Sequence, residues 1–149
     1  MIGVVIASHG ELAAALLDTA RLVVEMSCPV ATVSIGPDDN SATYKAKLLE
    51  ALEGLDAEDG VLVLTDMFGG TPSNVGLTLH EPGSVEVLTG VNLPMLVKAL
   101  QIASKGTPLH ACASLVKTSG RDSIAIASEV LSKTHRSTER HDHRGDQEA

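Results

Sequence analysis

Aromatic rings are nearly missing from this 149-residue chain, which has no tryptophan and only Tyr44 and Phe68 in that class. A surface that grips single-stranded nucleic acid stacks bases on such rings, so that partner has no platform here. The net charge of −8 argues the same way. Residues 133–149 carry four basic and four acidic side chains and cancel, which leaves the whole negative balance on residues 1–132. An acidic body repels nucleic acid and anionic membrane alike. Long apolar runs are absent too, and no stretch approaches the ~20 apolar residues of a membrane-crossing helix. The N-terminal run Val4-Val5-Ile6-Ala7 stops at Ser8-His9, too short for a signal peptide. A cytoplasmic location without direct membrane insertion is expected. Cys28 and Cys112 form no CxxC pair and are expected as buried, reduced thiols. Neither GxGxxG nor GxxxxGK[ST] occurs, which argues against dinucleotide and P-loop nucleotide sites. An acidic pair after the first strand is missing, against an aspartate-phosphorylated receiver domain. No cofactor and no metal are expected.

What is present suits one α/β domain. Apolar residues make up 44% of the chain, so the core must be built from Leu, Val, Ile and Ala. Ile2 to Ala7 reads as a strand buried on both faces. Leu12, Leu16, Ala20 and Val23 then share one face of a predicted helix. Val30 to Ile35 is a second strand, and Tyr44, Leu48 and Leu52 mark a helix from Ser41 to about Leu52. Val61 to Thr65 is a third strand, followed by a glycine-rich turn and a short helix to His80. Val85 to Leu88 is a fourth strand. Pro94 suits the start of a helix through Ala103, and residues 108–118 read as another that Gly120 breaks. The segment around Ile124 and Ile126 is open between strand and helix. From Ser132 the sequence is polar and without period, which gives a domain at 1–131 and a disordered charged tail at 132–149.

Strands alternating with helices imply a doubly wound, mostly parallel sheet with helices on both faces. Ligands bind such sheets outside the carboxyl ends of the strands, where the strand order reverses. His9 sits at the first of those ends. Most histidines are surface or structural, but Gly10 clears space beside this one and a helix follows that favours an anion. A histidine with one unprotonated ring nitrogen is nucleophilic near neutral pH. Asp66 takes the matching place after strand three. If the two strands are neighbours, its carboxylate can hold one ring nitrogen and leave the other to attack. Alone, Asp66 would read as a loop or capping carboxylate. Gly69, Gly70, Thr71 and Ser73 lie in the turn that follows, where free amides could hold phosphoryl oxygens. A plain turn with Thr71 as N-cap and Pro72 in the first helical position fits the same residues. His135, His141 and His143 lie in the tail and read as solvated.

Taken together, Ser8-His9-Gly10, Leu64 to Asn74 and Thr89-Gly90-Val91-Asn92-Leu93-Pro94-Met95-Leu96 resemble the IIA component of the mannose-family phosphotransferase system. The order and spacing match across roughly residues 1–132. The resemblance implies four parallel strands plus one antiparallel edge strand exchanged across a homodimer, near Asp122 to Ser128. It implies a phosphotransferase in which His9 takes phosphoryl from the phosphocarrier HPr and gives it to a IIB component for sugar uptake. Asp66 would orient the histidine, and Gly69, Gly70, Thr71 and Ser73 would bind the phosphoryl group. No linker or IIB domain follows the IIA-like part, only the short tail, so the acceptor is expected on a separate chain.

Two other functions share these residues. A regulatory phosphoprotein would use the same histidine to control partner binding. Ser8-His9-Gly10-Glu11 also resembles the Arg-His-Gly-Glu start of phosphoglycerate mutase-like phosphatases. Such enzymes grip the phosphate dianion with arginines, whereas Ser8 replaces the arginine here and Arg21 is the only one before Arg121.

Overall fold

The computed structural model describes residues 1–67 and 71–145; of 71–73, 137 and 139–145 only the backbone is described. Strands β1 (Gly3–His9), β2 (Val30–Ile35), β3 (Val61–Thr65) and β4 (Val85–Thr89) form one parallel sheet in the order β2-β1-β3-β4. Between and after them come α1 (Leu12–Ala20), α2 (Ser41–Glu53), α3 (Thr71–Thr78), α4 (Leu93–Ile102), α5 (Leu109–Asp122) and α6 (Ala127–Gly145). The register sets Val4 against Val30 and Leu62, and Ala7 against Val33 and Thr65.

Strand side chains alternate between the two faces of a sheet. Ile2, Val4, Ile6, Leu62 and Leu64 accordingly pack with α1, α4 and α5 on one face. Val5, Ala7, Val33, Ile35, Val61 and Val63 pack with Tyr44 and Leu48 of α2 and Val75 of α3 on the other. Two covered faces explain why β1 and β3 are continuous apolar runs. In α2, Tyr44 and Leu48 are fully buried, and Asn40 caps the helix by accepting from the Thr43 amide at 2.9 Å. Cys28 is half-buried and Cys112 buried, both as free thiols, and burial pushes the Cys28 thiol up to about 11.

Three expectations change. The buried face of α1 is Ala13, Leu17 and Ala20, one step round from the predicted Leu12–Leu16 stripe. Leu12 is 45% exposed, Leu16 packs at the margin, and the helix ends at Ala20, so Val23 lies in the turn beyond it. The small Ala13 and Ala20 let the helix axis approach the sheet. Second, Gly120 does not break α5, which runs on to Asp122. The glycine instead allows close approach to α4, since a Cβ there would run into the Met95 side chain. Asn92 joins the two helices by donating to the Gly120 carbonyl at 3.2 Å while accepting from the Met95 amide at 3.0 Å.

Third, the stretch expected as a structureless tail contributes α6. Its backbone is satisfied by its own helical turns, and hydroxyls fold back onto it, as in Ser132 to the Ser128 carbonyl at 2.8 Å. Every described side chain from 121 to 136 is exposed, which is why no core-facing period marks the helix in the sequence. Ser123 to Ile126 links α5 to α6 as neither strand nor helix, and Ile124 is 76% exposed. Among the described residues no fifth strand joins the sheet, and no helix is long and apolar enough to cross a membrane.

The Gly120 contact is testable. Gly120→Val should cost about 1–3 kcal/mol, the usual penalty for overpacking, measured as a lower urea midpoint. An unchanged midpoint would mean that α4 and α5 can part without loss.

Candidate functional site

The sheet order sends the chain from β1 to β2 on one side and then to β3 and β4 on the other. The reversal opens a crevice at the carboxyl ends of β1 and β3. His9 is the last residue of β1 and Asp66 follows the last residue of β3. Parallel pairing of these strands brings the two side chains together although 57 positions separate them in sequence.

His9 Nδ1 lies 2.8 Å from Asp66 Oδ2, and the His9 backbone amide donates to the same oxygen at 3.0 Å. The Met67 amide donates to Asp66 Oδ1 at 3.0 Å, so both carboxylate oxygens are held. The Asp66 side chain is 12% exposed and that of His9 49%. Burial pushes the Asp66 carboxyl up, but the His9 amide, the His9 ring and the Met67 amide outweigh it and hold the group below the usual carboxylate range. An ionised Asp66 accepts and cannot donate, so the Nδ1–H tautomer of His9 matches it. Nε2 then carries the lone pair. The arrangement can present a ring nitrogen to an electrophile from solvent while a carboxylate faces the positive charge that develops on the ring.

Gly10, with φ +54, turns the chain sharply after His9. Ser8 is fully buried, and its hydroxyl accepts from the Ala13 amide at 2.8 Å, which ties the strand end to α1. The other predicted residues stand differently. Gly69 and Gly70 lie outside the described residues. Thr71 and Ser73 fall in the first turn of α3, and their side chains are likewise outside the description. Gly90 and Asn92, in the third segment of the resemblance, serve the fold: Gly90 takes φ +79 and Asn92 caps α4. His80 and His110 flank Glu86 at 3.6 and 3.3 Å. Glu86 lies near the start of β4, so this group sits at the sheet end opposite His9. Among the described residues no cluster of His, Cys, Asp and Glu could hold a metal ion.

Residues 3–117 match the EIIA-man family, described as "PTS system fructose IIA component". The chain belongs to this family. The "PTS system mannose-specific EIIAB component" of Escherichia coli (strain K12) is 32% identical over 124 residues, 83% of this chain and 38% of that protein. The chain therefore spans well under half the length of that relative. The "PTS system fructose-specific EIIA component" of Bacillus subtilis (strain 168) is 29% identical over 134 residues, 89% of this chain and 91% of its own. The crystal structure of an EIIA component from Streptococcus agalactiae superimposes with a TM-score of 0.78 at 26% identity, covering 87% of this chain and 99% of that one. The mannose/sorbose-specific IIA subunit from Enterococcus faecalis gives 0.73 at 27%, covering 83% and 92%. EIIA-man members are IIA components of sugar phosphotransferase systems, so the general reaction class is phosphoryl transfer.

The His9–Asp66 pair has a stability signature. Asp66 titrates lower folded than unfolded, so its contribution is present above pH ~4 and is lost as pH falls through the lower folded value. Asp66→Asn should lower stability by about 1.5 kcal/mol or more at pH 7, the worth of hydrogen bonds to a charged group. The gap from wild type in urea unfolding should close as pH falls through the carboxylate range. A gap that stays constant with pH would show that the charge adds nothing.

Proposed function

We propose that this EIIA-man chain accepts a phosphoryl group from phospho-HPr on Nε2 of His9 and passes it to a IIB component for sugar uptake. One observation carries the reading: the 2.8 Å hydrogen bond from His9 Nδ1 to Asp66 at the open end of the sheet. In the transfer, the Nε2 lone pair attacks phosphorus and forms the new P–N bond. The P–N bond of the donor's phosphohistidine breaks, and its electron pair stays on the donor imidazole. His9 keeps its Nδ1 proton throughout, held by Asp66, which faces the cationic phosphoimidazole. Onward transfer is the same step with the IIB side chain as nucleophile and His9 as leaving group. Gly69, Gly70, Thr71 and Ser73 would supply amides and hydroxyls to the phosphoryl oxygens, as helix N-termini and glycine turns do. The proposed role would be carried by residues 1–131 in the cytoplasm, where the donor and acceptor proteins would meet it.

Incubation with phosphoenolpyruvate, enzyme I and HPr should label the wild-type chain on His9 alone, and His9→Ala should abolish labelling with the fold intact. Base-stable label on His80, His110 or His135 would overturn the assignment.

The same reading includes a homodimer in which the segment around Ile124 adds to the partner's sheet. β4 is a sheet edge, and edges are usually paired or covered. A groove of about 420 Å³ runs along it, lined by Leu77, Val87, Met95, Lys117 and Arg121. Ile124 and Ile126 are both exposed and would point to one side of an extended segment. Light scattering should show a dimer at micromolar concentration that Ile124→Asp with Ile126→Asp dissociates. A monomeric wild type, or a dimer indifferent to both changes, would contradict this.

A further inference from the structure

We propose that Ser34, on β2, is a positioning residue for His9, acting through the carbonyl of Gly10. The proposal rests on the carrier reading of His9.

His9 ends β1, and nothing covalent beyond it is rigid: Gly10 follows in the left-handed region, φ +54, where a glycine can also take other conformations. Both polar groups of Gly10 are nevertheless held by β2. Its amide donates to the Ile35 carbonyl at 3.0 Å, and its carbonyl accepts the Ser34 hydroxyl at 2.6 Å. The second distance is at the short end for O–H···O bonds. On the other side, the His9 amide is held by Asp66. The backbone of His9 is thus clamped between the end of β3 and β2, and among the described residues Ser34 supplies the side chain in the β2 half of the clamp.

The anchor under Ser34 is itself braced. The Ser34 carbonyl accepts from Lys47 Nζ at 3.3 Å, and Lys47 pairs with Asp39 at 2.7 Å. Asp39 also accepts from the Gly36 amide at 2.8 Å, and that bond first, then Lys47, brings its carboxyl down to about 2. Strand end, following turn and α2 form one hydrogen-bonded unit.

Nothing about packing calls for a serine at this position. Ser34 is exposed, between Val33 and Ile35, which are buried. The described partner of its hydroxyl is the Gly10 carbonyl. Loss of that bond frees the Gly10 carbonyl and leaves the Ile35 bond to the Gly10 amide as the described hold of β2 on the turn, so the imidazole gains freedom. Phosphoryl transfer between two imidazoles needs Nε2 near 3–3.5 Å from phosphorus and in line, and a misplacement of about 1 Å can cost ~100-fold.

The test pairs kinetics with a structural signature. Ser34→Ala should lower the rate constant of phosphoryl transfer from phospho-HPr by ~10-fold or more, with the KM for phospho-HPr unchanged. Ser34→Thr keeps the hydroxyl and should restore the rate. The Nδ1–H proton resonance of His9, hydrogen-bonded to Asp66, should be sharp in wild type and Ser34→Thr, and broadened in Ser34→Ala. A wild-type rate and resonance in Ser34→Ala would overturn the proposal, and so would equal losses in Ala and Thr variants. If wild type takes no phosphoryl from phospho-HPr, the carrier reading fails, and the resonance still decides whether Ser34 orders His9.

Discussion

Parallel pairing of β1 with β3 is the constraint on which the site depends. It sets Ala7 beside Thr65, so His9, two residues beyond Ala7, and Asp66, the residue after Thr65, emerge at the same edge of the sheet. No local sequence feature could bring them together across 57 positions. The pairing is secured by burial, because Val4 to Ala7 and Leu62 to Leu64 are enclosed by helices on both faces. A one-residue slip would exchange the faces of every side chain in the strand. The same packing that holds the core therefore holds the ring nitrogen in place.

The His9 side chain is half-exposed but its support is not. Asp66 is largely enclosed, both its oxygens accept backbone amides, and the turn after His9 is held by β2. In the proposed carrier role the chain would meet two proteins in turn, so His9 would have to be reachable. It also has to present one nitrogen in one direction, so everything behind the ring must be ordered. Placing the histidine on the last residue of a central strand, rather than within a loop, meets both needs.

Much of this was legible in the residues. β2 and β3 were read to their ends, because β-branched runs bounded by Gly, Pro and Asp have few alternative structures. Asp66 alone reads as a loop or capping carboxylate; its place directly after strand three, matching that of His9 after strand one, singled it out, and the structure sets it 2.8 Å from the His9 ring. Of the predicted α1 stripe only Ala20 is fully buried; Leu12 and Leu16 turn outward or to the margin, and Ala13 and Leu17 face the sheet instead. Gly120 looked like a helix breaker, yet its reason is the neighbouring Met95, and that is a tertiary fact. The described side chains of α6 are all exposed, so the helix carries no core-facing stripe that would have tied it to the domain. Ser34 carried no signal at all, since one serine on an exposed strand position looks like any other until the Gly10 carbonyl is seen beside it.

The central claim is that Asp66 fixes the proton on Nδ1 of His9 and leaves Nε2 to take the phosphoryl group. Nitrogen-15 NMR of the His9 ring, before and after phosphorylation by phospho-HPr, measures this directly. The account predicts the Nδ1–H tautomer in the free chain and phosphorus coupled to Nε2 in the phosphorylated one. A proton on Nε2 in the free chain, or phosphorus on Nδ1 in the product, would contradict it.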